Sequence, residues 1–143
     1  MCGRFSITAT AEDVEELFGI DDVEVFPPRY NIAPTQPILM VRQVARGGEG
    51  ANRPDREALL VRWGLIPSWV KDLKAFPLLI NARSETVIEK NSFRAAIRHR
   101  RTLVPASGFY EWKRTGDKKS QAYWVRPRHG GLIAFAALME TYL

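Results

Sequence analysis

The stretch Thr102–Leu138, TLVPASGFYEWKRTGDKKSQAYWVRPRHGGLIAFAAL, decides the fold. Thr102–Ala106, Phe109–Lys113, Ala122–Arg126 and Leu132–Leu138 are short runs rich in β-branched and aromatic residues. Glycine-containing turns separate them. Runs of this length between turns read as strands of an antiparallel sheet. Upstream, Ile38–Ala45 and Ala58–Trp63 read as two more strands around a long hairpin tip, Gly47–Pro54. The segments Pro27–Pro37 and Pro67–Pro77 lack a period and read as ordered loops.

Two helices complete the pattern. Thr10-Ala11-Glu12-Asp13 is a capping start, with Val14, Leu17 and Phe18 at helical spacing and Gly19 as the stop. Asn91 or Ser92 would cap a second helix through Phe93, Ala96 and Ile97. It ends in Arg98-His99-Arg100-Arg101. Those basic residues suit a helix C-terminus, and equally a phosphate contact. The expected fold is α+β, mainly an antiparallel, barrel-like β-sheet with a few short helices. No repeat or composition break divides residues 1–143, so one domain is expected.

The chain has 143 residues and a formal net charge of +5. A basic balance favours an anionic partner, nucleic acid first. No apolar run approaches the ~20 residues of a membrane span. The start carries no export signal, and a single cysteine forms no internal disulfide. Both features agree with a cytoplasmic setting. One cysteine and two histidines argue against a structural zinc site, so neither metal nor cofactor is expected.

Cys2 is the most informative position. Removal of Met1 would leave an α-amine and a thiol on adjacent carbons. Such a pair condenses with an aldehyde to an imine, and the thiol then closes a thiazolidine ring. Both groups have usable nucleophilic fractions near neutral pH. The bland alternative is a small buried hydrophobe.

Cys2-Gly3-Arg4-Phe5 is followed by RYNIAPT (29–35), WGLIPSW (63–69), NARSET (81–86) and PASGFYEWK (105–113). Together, in this order, these motifs resemble the SOS-response-associated peptidase (SRAP) family from Cys2 to about Glu140. The family is known for sensing abasic sites in single-stranded DNA. It traps the ring-opened sugar as a thiazolidine DNA–protein crosslink, and a self-cleaving peptidase activity is proposed to expose its cysteine.

By motif, the resemblance makes Cys2 the nucleophile. Asn81 becomes the active-site amide and Glu111 the catalytic carboxylate. Strand alternation puts Glu111 on the face of Phe109 and Lys113, away from Tyr110 and Trp112. Arg4 and Arg83 match arginines that face the DNA backbone, and Trp69 matches a DNA-contacting wedge. Each has an ordinary alternative. Asn81 could cap a turn, Glu111 could pair with Lys113 and Arg83 with Glu85, and Trp69 could be core. Trp63 and Trp112 are assigned to the core. The family also carries a histidine in a His-Asp-Arg-Met-Pro-like segment beyond the last strand. His99 and His129 lie in other motifs, so the expected domain lacks the family's C-terminal part.

Two further readings remain open. One is an N-terminal-nucleophile hydrolase, with Cys2 attacking an amide carbonyl. The other is a non-catalytic single-stranded nucleic-acid-binding module, for which basic charge and aromatics suffice.

Overall fold

The first helix forms as its caps dictate. In the computed structural model, which describes residues 2–44 and 55–143, α1 spans Ala11–Phe18. Thr10 Oγ1 accepts from the Asp13 N–H at 3.2 Å, and the Asp13 carboxylate accepts from the Thr10 N–H at 2.9 Å. That reciprocal pair satisfies two donors the helix start leaves open. Gly19 ends it in the left-handed region at φ 62°. Val14 and Phe18 are buried. The expected hairpin tip Gly47–Pro54 lies outside the described residues, as does Met1.

The strands are β1 (Phe5–Ile7), β2 (Arg29–Ile32), β3 (Pro37–Gln43), β4 (Arg56–Arg62), β5 (Arg101–Ala106), β6 (Gly108–Gly116), β7 (Lys119–Val125) and β8 (Ile133–Leu138). They form two four-stranded sheets, ordered β2-β1-β6-β7 and β4-β3-β5-β8. Every pairing between these strands is antiparallel. The α+β class and antiparallel pairing match expectation, but the sheets do not close into a barrel. The reason lies at Ser107. Strand β5 already has β3 on one side and β8 on the other. The chain therefore leaves that sheet after Ala106 and joins the other as β6. Ser107 marks the passage, donating its N–H to Ser6 O at 2.8 Å.

Two smaller expectations are also corrected. The loop expected over Pro27–Pro37 contains β2. Its prolines flank Arg29–Ile32 rather than interrupt it, and β2 is an edge strand paired only with β1. Helix α2 spans Arg94–His99, with Phe93 as N-cap and no side-chain cap bond. Neither Asn91 nor Ser92 caps it. Backbone turns lead into it instead, with the Arg94 N–H donating to Lys90 O at 2.9 Å.

The core lies between the sheets. Phe5, Ile7, Ile32, Ile38, Met40 and Val104 are buried there beside Val14 and Phe18 of α1. Phe5 meets Trp63 edge-on at 5.2 Å, and Phe135 takes edge contacts from Phe5 and Phe109 at 5.9 and 5.7 Å. Trp63 thus packs on the core as expected. Trp112 does not: it is 50% exposed. Its cross-strand partner is Ala122, which leaves the indole uncovered on its sheet face.

Candidate functional site

Strand β1 is only three residues long, yet it fixes the start of the chain. Ser6 Oγ donates to Gly108 O at 3.3 Å and accepts from Trp124 Nε1 at 3.0 Å. Gly108 is required by this arrangement. A Cβ there would stand 2.4 Å from Trp124 Nε1 and 2.8 Å from Val125 O. The ladder extends one residue before β1, where the Tyr110 N–H donates to Arg4 O at 2.9 Å. The Cys2 thiol donates to the same carbonyl at 3.3 Å.

Asn81 comes from a different part of the chain. Trp63 Nε1 donates to Ile80 O at 3.0 Å, and the Leu65 N–H donates to Leu79 O at 2.9 Å. Those bonds hold segment 79–81 against the core. From there Asn81 Nδ2 donates to Cys2 O at 2.7 Å. Asn81 therefore grips Cys2 across 79 positions instead of capping a local turn.

Glu111 follows Tyr110 on β6 and, by alternation, shares the inward face of Phe109. Its charge reaches Cys2. Burial is the largest cause raising the Cys2 thiol above its ordinary pKa, and the Glu111 carboxylate raises it further. A backbone hydrogen bond from Arg4 pulls the other way. The structure thus bonds Asn81 to Cys2 and leaves the Glu111 carboxylate within electrostatic reach of the Cys2 thiol. Cys2 and Asn81 also line a largely apolar cavity of about 740 Å³ between Trp63 and Phe135.

The other expected residues lie around this trio. Arg4 is half-buried and donates to Asn31 Oδ1 at 3.2 Å. Arg83 is exposed two residues after Asn81, and no ion pair joins it to Glu85 among the described residues. Trp69 is 57% exposed, edge-on to Phe76 at 5.8 Å. It is therefore not a core tryptophan. No bond or ring contact joins it to Cys2, Asn81 or Glu111 among the described residues.

Sequence reasoning missed the outer face of β6 and β7. Tyr110 pairs with Trp124, and Trp112 with Ala122. Arg126 lies over the Trp124 ring at 5.4 Å. Arg4 shares this face by alternation along the β1 ladder. The alternation in Tyr110-Glu111-Trp112 carried the signal, but an indole beside other aromatics read as core. The role of Asn31 as the acceptor for Arg4 was also missed. The RYNIAPT motif proves largely a brace. Arg29 donates to Gln36 Oε1 at 3.0 Å and to the Pro37 carbonyl, and the Ala33 N–H donates to Gln36 Oε1 at 3.0 Å.

The family model for SOS response associated peptidase (SRAP) matches residues 1–143. The chain belongs to the SRAP family. It is 40% identical over 147 residues to the abasic site processing protein YoaM of Bacillus subtilis, covering 99% of this chain and 60% of that protein. It is 34% identical over 149 residues to the abasic site processing protein YedK of Escherichia coli, again covering 99% of this chain and 60% of that protein. The chain thus spans about three fifths of the length of these relatives. Among solved structures, a phage-related protein from Bordetella bronchiseptica is 28% identical with a TM-score of 0.74, covering 96% of this chain and 60% of that one. Among the described residues, no helix is long and apolar enough to cross a membrane.

Proposed function

We propose that this SRAP chain processes abasic sites in single-stranded DNA, using Cys2 as the covalent nucleophile once Met1 is removed. What supports the reading is one observation above all. Asn81 and Cys2, from two separate family motifs, are joined by a hydrogen bond, and the Glu111 charge of a third acts on the Cys2 thiol.

The chemistry divides among them. The freed α-amine adds to the sugar aldehyde, and the hemiaminal loses water to give an imine. Glu111 takes the proton that the amine nitrogen sheds on addition and gives it to the departing oxygen. The Cys2 sulfur then bonds to the imine carbon, and the thiol proton passes to the ring nitrogen. Asn81 orients Cys2 through the carbonyl without adding charge. Arg4 and Arg83 would meet backbone phosphates with their paired N–H groups. Trp69 and the outer-face Trp112 offer rings on which bases of the strand would stack. Self-processing to remove Met1 belongs to the same proposal, and the working place is the cytoplasm, with DNA.

The test is a denaturing gel of the protein with abasic single-stranded DNA. A heat-stable shifted band is expected from wild type and none from Cys2→Ala. Equal bands from both would sink the mechanism. Cys2→Ser should give an imine that only borohydride traps, because a hydroxyl closes a far less stable ring. Cleavage of a model amide by wild type, with no adduct, would favour a hydrolase instead.

A further inference from the structure

A second polar cleft, of about 770 Å³, lies where the end of α2, the start of β5 and the end of β3 meet. Arg42, Arg98, His99, Arg100, Arg101 and Thr102 line it, with one carboxylate, Asp55, among the described residues. Asp55 has an interaction of its own.

The cations divide into two groups. Arg42 pairs with Glu57 at 2.6 Å, and Arg100 pairs with Glu140 at 2.8 Å. Arg100 also donates to Met139 O at 3.3 Å. These two are structural. Among the described residues, no ion pair engages Arg98, His99 or Arg101, and all three are exposed. The partial charge at the end of α2 accounts for Arg98 and His99 in its last turn. It does not account for Arg101, which begins β5, nor for the residue after it.

That residue faces the other side of β5. Thr102 is 7% exposed, and its hydroxyl is buried without a hydrogen-bond partner. Buried polar atoms are almost always paired, so an unpaired one calls for an explanation. Thr102 stands in the wall shared by this cleft and the cavity that holds Cys2. Two guanidinium groups with no ion pair among the described residues are the donors a phosphate takes.

We propose that this cleft is a second phosphate-binding site, taking a backbone phosphate of the nucleic-acid strand away from the reacting sugar. Arg98 and Arg101 supply charge and paired donors, and His99 a ring N–H. Only the identity of the strand rests on the function proposed above; the anion site itself does not.

The test measures non-covalent binding of undamaged single-stranded DNA in a Cys2→Ala background, so the outcome is independent of crosslinking. Arg98→Gln with Arg101→Gln removes two phosphate contacts. The log–log salt slope should become shallower by about 1.4. An unchanged slope would overturn the proposal. Thr102→Val keeps the shape and removes the hydroxyl. It should leave the salt slope unchanged and the thermal midpoint equal or higher, because an unpaired buried group is lost. Inorganic phosphate alone, titrated while the His99 ring signals are followed by NMR, tests the other source. Saturation by free phosphate, with a DNA slope the arginine substitutions do not change, would assign the cleft to a small anion and overturn the strand reading.

Discussion

The two sheets are held together in different ways. Strands β3 and β4 pair at seven successive positions, from Pro37↔Arg62 to Gln43↔Arg56, and β5 pairs with β8 at six. Those two ladders are regular, and β3 meets β5 at Val41↔Leu103. The other sheet has one such ladder, β6 with β7 at seven positions, but its inner strand β1 pairs with β2 and with β6 at two positions each. Side chains supply what the short ladder lacks. Trp124 reaches Ser6 across 118 positions, and Ser107 Oγ accepts the Thr8 N–H across 99. Regular ladders give stability that tolerates local change. A three-residue strand set by distant contacts fixes position, and Cys2 lies three residues before that strand.

The largest expected effect concerns chemistry carried by the position-fixing sheet. Glu111→Gln should slow crosslinking by about 10²–10⁴-fold, the usual contribution of a positioned acid. It should also lower the Cys2 pKa, because an anion that disfavours the thiolate is gone. Alkylation of Cys2 near neutral pH should therefore speed up while crosslinking slows. In wild type, the alkylation rate should keep rising with pH beyond the ordinary thiol range. Crosslinking by Glu111→Gln at the wild-type rate would remove this residue from the mechanism.

A matched pair of substitutions sharpens the contrast between sheets. Gly108→Ala forces a Cβ against Trp124 and the Val125 carbonyl. It should cost about 1–3 kcal/mol in urea unfolding and also slow crosslinking by the protein that remains folded. Val41→Ala, in the buried part of the ladder sheet, should cost about as much stability. Its folded protein should crosslink normally. If both variants lost activity only in proportion to unfolding, the sheets would not differ as described.

The smallest effect is expected at the rim. Arg83→Ala should leave stability unchanged and make the salt slope of single-stranded DNA binding shallower by about 0.7, one phosphate's worth. An unchanged slope would return Arg83 to the ordinary surface.

Local signals made much of this legible. The capping box at Thr10 and Asp13 and the stop at Gly19 predict α1 because they act within one turn of chain. Alternation places Glu111 beside Phe109 because strand geometry has a period of two. Sheet membership was not legible: nothing near Ser107 announces that β5 has both neighbours filled and that β6 must join another sheet. Edge strand β2 hid among prolines that flank it. The family motifs nominated Asn81, but its grip on the Cys2 carbonyl is a contact between distant segments. Trp112 was misjudged because composition cannot say which face of a ribbon is covered.

In the mechanism proposed above, Asn81 holds the one polar group of Cys2 that ring closure would not consume. The amine and the thiol would both enter the thiazolidine, while the carbonyl and its 2.7 Å bond remain. The finished adduct would therefore stay seated in the cavity that made it, between Trp63 and Phe135. Its lifetime would then follow the unfolding of this domain, and agents that open the fold would expose the linkage sooner than agents that attack it directly.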